Sequence, residues 1–193
     1  MRKLIAAMNM TLNGFCDHTL MIADDEIHQH YNELLRRADI VIWGRITYQL
    51  MESYWPAVVK NPTGNKPTDE FAILIDNISK VVFSRTLKDV NWKNAKLAAG
   101  SIKEEISELK KQAGRDIFVG SPSLIVASMN LGLVDEFQIS VQPTIAANGL
   151  ALFKNISNRI DLKLLKTKTF DCGAVTLYYD AAKLIDGFKR INN

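Results

Sequence analysis

The sequence predicts an α/β fold: a mostly parallel sheet flanked by helices, with antiparallel strands added from the C-terminal part. Three observations carry this. The short apolar runs Ile40–Trp43, Val81–Phe83 and Ile117–Val119 show no polar alternation, as expected of strands buried on both faces of a sheet. Segments of helical spacing lie between those runs. The last third carries strand-like stretches, Glu136–Val141, Leu162–Leu165 and Val175–Tyr179, without long helices between them.

The elements follow in order. Leu4-Ile5-Ala6-Ala7-Met8 reads as the first strand. It superficially resembles a signal peptide, but Asn9, Asn13 and Asp17 break the apolar stretch and no small-residue cleavage site follows. Ile27, Tyr31, Leu34 and Leu35 share one helical face after Asp24-Asp25, which can cap that helix. Pro56, Pro62 and Pro67, with Gly64 among them, predict a long surface loop. Ile102, Ile106, Leu109 and Ala113 repeat at helical spacing behind a Ser101–Glu104 capping box. Ser121-Pro122 opens another helix with Pro at its first position and Gly132 near its end.

All this fits one domain over residues 1–193, with a core of about 1–180 and a tail over 181–193. A chain of 193 residues buries enough surface for a core without disulfides or metals. Its 47% hydrophobic and 23% charged residues exclude a disordered or collagen-like chain. The net charge of +3 comes from 24 basic and 21 acidic residues that are interleaved, as in Lys103-Glu104-Glu105, so no nucleic-acid face is expected. No apolar run approaches the ~20 residues of a membrane span. Cys16 and Cys172 carry no spacing signature and read as free thiols, which with the rest predicts a cytoplasmic protein. His28 and His30, two apart on a helix, point different ways, and His18 adds no ligand spacing; no metal is expected.

Chemistry is expected at the strand ends. Neither G-x-G-x-x-G nor a Walker A motif is present. Instead, the first buried run leads into Gly44-Arg45-Ile46-Thr47, the second into Ser84-Arg85-Thr86, and the third into Gly120-Ser121-Pro122. Ligands of open α/β sheets sit outside the carboxyl ends of the strands, and helix N-termini there suit phosphate. Small, hydroxyl and basic residues at three successive ends point to a dinucleotide.

The chain resembles the dihydrofolate reductase superfamily, and more closely a bacterial group resembling the C-terminal reductase domain of the bifunctional riboflavin biosynthesis deaminase/reductase. The matching pieces are Ala6-Ala7, Met10-Thr11-Leu12-Asn13-Gly14-Phe15, Gly44-Arg45-Ile46-Thr47-Tyr48 with Tyr54-Trp55-Pro56, and Ser84-Arg85-Thr86-Leu87. Gly120-Ser121, Leu133-Val134-Asp135-Glu136-Phe137, Pro143 and Leu152-Phe153 complete the set. The resemblance implies a dihydrofolate-reductase-like fold that binds NADPH. By it, Gly44, Arg45 and Thr47 cradle phosphates, Ser84 and Arg85 (with Thr86 beside them) hold the 2′-phosphate, and Gly120 and Ser121 take the pyrophosphate. Ala7 and the Asn13-Gly14-Phe15 loop border the nicotinamide. Asp24 and Asp25 become candidate catalytic acids, as substrate anchor or proton relay, with helix capping as their competing role. His28, one turn on, can face the same cleft. Asn13, also a candidate catalytic position, stands where the family usually has Asp, and Val119 stands where the riboflavin branch has Glu. The expected activity is hydride transfer from NADPH to a pyrimidine- or pteridine-like heterocycle. The alternative is a non-catalytic NADP(H)- or nucleotide-binding or sensing protein on the same scaffold. A homodimer through the C-terminal strands is expected.

Overall fold

A computed structural model describes residues 1–181, and the tail beyond them lies outside the described residues. The strands are β1 (Leu4–Thr11), β2 (Ala38–Gly44), β3 (Ser79–Phe83), β4 (Ala95–Leu97), β5 (Asp116–Val119), β6 (Glu136–Gln142), β7 (Lys163–Thr169) and β8 (Val175–Asp180). They form one sheet in the order β4-β3-β2-β5-β1-β6-β8-β7. β4 through β6 run parallel; β8 pairs antiparallel with β6, and β7 antiparallel with β8. This is the mixed sheet expected, with β4 as an added short edge strand.

The helices are α1 (Asp25–Arg37), α2 (Arg45–Lys60), α3 (Lys66–Asn77), α4 (Ile102–Lys111) and α5 (Pro122–Asn130). Alternation along each strand divides the core into two layers. Leu4, Ala6, Ile42, Ile117 and Val119 pack with α4 and α5 through Ile106, Leu109, Leu124 and Ile125. On the other face Ile5, Ala7, Val41, Trp43 and Phe118 pack with Leu34 and Leu35 of α1, Tyr48 of α2 and Ile75 of α3. Among the described residues no helix is long and apolar enough to cross a membrane.

One expectation fails. The proline-rich stretch is not a long loop: α2 continues through Pro56 to Lys60, and α3 starts at Lys66. Pro56 removes one internal N–H, but burial of Tyr48 and Val58 on the same helix holds it. Pro67 lies in the first turn of α3, where its fixed φ favours a helix, and Asn65 caps that helix by accepting the Thr68 N–H. Only residues 61–65 remain as connection.

The segment leaving β3 is tied back by a buried lysine. The Lys80 ammonium donates to the carbonyls of Asp76, Ile78 and Lys93 and sits over the Trp92 ring. Burial pushes its pKa down to about 8, against the opposing charge of Asp76. The Trp92 indole N–H donates to Asp76, and the Tyr48 hydroxyl accepts the Trp92 N–H. These bonds fix where the chain returns after the Ser84–Thr86 turn.

Candidate active site

Parallel pairing brings the predicted strand ends to one edge. Gly44 pairs with Phe83, so Arg45 and Ser84 emerge side by side. Ile42 pairs with Val119, and the Gly120 N–H points at the Ile42 carbonyl. The Gly44 N–H donates to the buried Ser121 hydroxyl at 2.9 Å, which joins two of the expected phosphate positions directly.

The helix starts differ in a telling way. α1, α3 and α4 are capped by the side chains of Asp24, Asn65 and Ser101. α2 and α5, which begin at the ends of β2 and β5, have no side-chain cap. Their first N–H groups are left for another acceptor, and with the positive end of each helix dipole they suit an anion. Ser121 stands at the cap position of α5, but its hydroxyl is engaged by Gly44. Arg45 reaches Gln49 at 3.3 Å, and Arg85 is exposed with no partner among the described residues. The Ser84 hydroxyl accepts the Thr86 and Leu87 N–H groups, which shapes the turn that presents Arg85.

Beside this edge, on the α1–α2–α3 face, lies a cavity of about 220 Å³. Ala7, Met8 and Asn9 of β1, Trp43 of β2, and Phe118 with Gly120 line its sheet side. Thr47, Met51 and Trp55 face it from α2, Phe71 and Ile75 from α3, and Ile27, His28 and Tyr31 from α1. Met21, Ile22 and Ala23 complete its lining. Trp55 and Phe71 pack at 4.5 Å between centroids with their planes tilted by 54°, and His28 meets both rings edge-on. Of the predicted site residues, Ala7, Thr47 and Gly120 line this cavity.

The candidate acids lie elsewhere. Asp24 accepts the Ile27 N–H as the cap of α1, and Asp25 accepts from the Asn65 amide at 2.7 Å. Neither lines the cavity. Asn13 holds its own loop: its amide nitrogen donates to the Ala146 carbonyl, and its oxygen accepts the Ala146 N–H and the Thr11 hydroxyl. A carboxylate there would set an acceptor against the Ala146 carbonyl, so Asn fits this pairing where Asp does not. Gly14, at φ +87°, closes the turn by donating to the Thr11 carbonyl, and Phe15 bridges to Ala151. Cys16 and Cys172 are free, as expected; burial pushes the Cys16 thiol up to about 11, which disfavours its thiolate. No group of residues suited to a metal occurs among the described residues.

Sequence reasoning did not single out Asn9, Met51, Trp55 or Phe71 as site residues. The available signal was the stripe Thr47, Met51, Trp55, which repeats every four residues and so marks a single helix face.

The RibD C-terminal domain family model matches residues 2–176. The chain belongs to this family. It is also 34% identical over 186 residues to the uncharacterized protein YyaP of Bacillus subtilis (strain 168), covering 92% of this chain and 94% of that protein. Among solved structures, a putative riboflavin biosynthesis protein from Shewanella sp. PV-4 shares the fold with a TM-score of 0.71 at 16% identity, covering 92% of this chain and 98% of the other. A pyrimidine reductase-like protein from Corynebacterium diphtheriae gives a TM-score of 0.65 at 14% identity, over 94% and 92% of the two chains. A Thermotoga maritima diaminohydroxyphosphoribosylaminopyrimidine deaminase/5-amino-6-(5-phosphoribosylamino)uracil reductase gives 0.65 at 14% identity, over 93% of this chain and 56% of that larger one. The expected dihydrofolate-reductase-like fold is thus shown, in the form that these riboflavin-type proteins share.

Proposed function

We propose that this protein is an NADPH-dependent reductase that passes hydride to a pyrimidine- or pteridine-like heterocycle. The observation that carries the reading is the pair of uncapped helix starts, α2 and α5, on adjoining strand ends beside an aromatic-lined cavity. The residues present fit the cofactor. The open N–H groups of α2 and α5 would receive the phosphates, with Gly44 keeping the approach clear of side-chain bulk. Arg85 would take the 2′-phosphate, since its planar guanidinium can donate two hydrogen bonds to phosphate oxygens. Family membership, with the likeness to a pyrimidine reductase-like protein from Corynebacterium and to the Thermotoga deaminase/reductase, supports the reductase class.

When bound, NADPH supplies the hydride. The chain supplies placement: Ala7 and Gly120 offer a small-residue floor, and Trp43, Trp55 and Phe71 clamp flat rings and exclude water. No covalent intermediate is needed.

Titrating NADPH and NADH into wild type and Arg85→Ala tests this. A hydrogen bond to a charged group contributes about 1.5–3 kcal/mol, so the variant should bind NADPH roughly 10- to 150-fold more weakly. NADH affinity should hardly change. A wild type without preference for NADPH, or equal weakening of both cofactors, would refute the assignment of this strand end.

A further inference from the structure

We infer that the hydride acceptor is an uncharged, flat heterocycle without a phosphate, held at one ring N–H by His28. This rests on the reductase reading and names the substrate class of the same site.

The cavity lining holds no Lys, Arg, Asp or Glu. Its volume of about 220 Å³ suits a flat ring. Around it the cap segment Met21, Ile22, Ala23 and the nearby Met51 are uncharged, so a phosphate leaving the cavity on that side meets no cation from the lining. Burying an ion against such walls without a partner is costly, whereas a flat neutral ring gains from packing against the aromatic rings of Trp55 and Phe71.

The polar groups that remain define what the ring must present. The hydroxyls of Tyr31 and Thr47 can each donate or accept, so they do not set the pattern. His28 Nδ1 lies 3.0 Å from the Asp24 carbonyl. A carbonyl only accepts, so Nδ1 carries the proton and Nε2 presents a lone pair. Nε2 has no partner among the described residues, while the ring is fixed edge-on to Trp55 and Phe71. Asn9 accepts from Gln142 through its oxygen at 3.3 Å, which leaves its amide nitrogen as a donor. One acceptor and one donor match the N–H and C=O edge of a neutral lactam ring. Asp24 therefore acts through its backbone carbonyl as well as its cap, by setting the tautomer of His28.

Calorimetry without cofactor tests the inference on three probes: 6,7-dimethyllumazine as a bare neutral ring, 5-amino-6-ribosylaminouracil, and its 5′-phosphate. The bare ring should bind, and the phosphate should add nothing to the affinity of the ribosyl compound. His28→Phe, which keeps the ring packing but removes the acceptor, should weaken the bare ring roughly 2- to 10-fold and leave NADPH affinity unchanged. Tighter binding of the phosphorylated probe, no binding of the bare ring, or unchanged ring affinity in His28→Phe would each overturn it. A parallel NADPH titration separates the two readings. Ring binding without NADPH binding refutes the reductase and leaves the ring site standing; NADPH binding with the phosphate preferred refutes the ring site alone.

Discussion

The two ends of the sheet are built on opposite plans. At the N-terminal ends of β1, β2, β5 and β6, charges are matched within the chain. The buried Arg2 pairs with Asp39 and also donates to the Arg115 and Leu109 carbonyls. Arg37 reaches Asp116 at 3.2 Å and Glu136 at 3.7 Å, Lys3 adds a contact to Glu136, and Lys110 meets Asp135 at 2.5 Å. At the C-terminal ends, Arg85 has no partner among the described residues, α2 and α5 start uncapped, and an apolar cavity opens beside them. One end satisfies its own polar groups and the other leaves them for a ligand. Local stability and binding capacity are thus separated along the strand axis.

The largest effect that probes this contrast is expected at the closed end. Arg2→Ala removes a buried guanidinium that bonds the half-buried Asp39 carboxylate and two carbonyls, and charge-assisted hydrogen bonds of this kind together contribute about 3 kcal/mol. For a chain of this size that lowers Tm by about 6–12 °C. Arg85→Ala, at the open end, should change stability by no more than ~0.5 kcal/mol. Thermal melts of both variants check the pair; similar losses would erase the distinction.

A smaller effect comes from acid, and it belongs to the packed body. His30 of α1 is buried against Phe170 and Tyr178, with its Nε2 unpartnered. Burial first, then the charges of Lys168 and Lys166, push its pKa down to about 4 from the usual 6.5. Between those values the unfolded chain binds more protons than the folded one. Stability is therefore full above pH 6.5 and falls as pH drops through the window, by on the order of 2–3 kcal/mol. Denaturant melts from pH 7 to 4.5 should show this slope in wild type and a shallower one in His30→Phe. Equal slopes would place the acid sensitivity elsewhere.

Much of this plan was legible in the sequence, for a physical reason. Strands buried on both faces are continuous apolar runs, and the residues just beyond them are fixed in space by parallel pairing. Gly44, Ser84, Gly120 and their neighbours could therefore be placed on one edge from sequence alone. The aromatic cavity could not. It depends on α2 running through Pro56 and on α3 bringing Phe71 to Trp55, a tertiary override of proline's local preference. The buried Lys80 was equally hidden, because only the folded chain shows three carbonyls gathered around its ammonium. Asn13 shows the reverse case. Its identity stood out at once, yet its reason, the paired bonds to Ala146, needs the distant loop in place.

The most direct test of the open-end account is amide hydrogen exchange of the full chain with and without NADP⁺. The account predicts slowed exchange at the first turns of α2 and α5 and around Ser84–Leu87, with little change near Arg2, Asp39, Asp116 and Glu136. Protection confined to the N-terminal ends of the strands, or none at saturating NADP⁺, would contradict it.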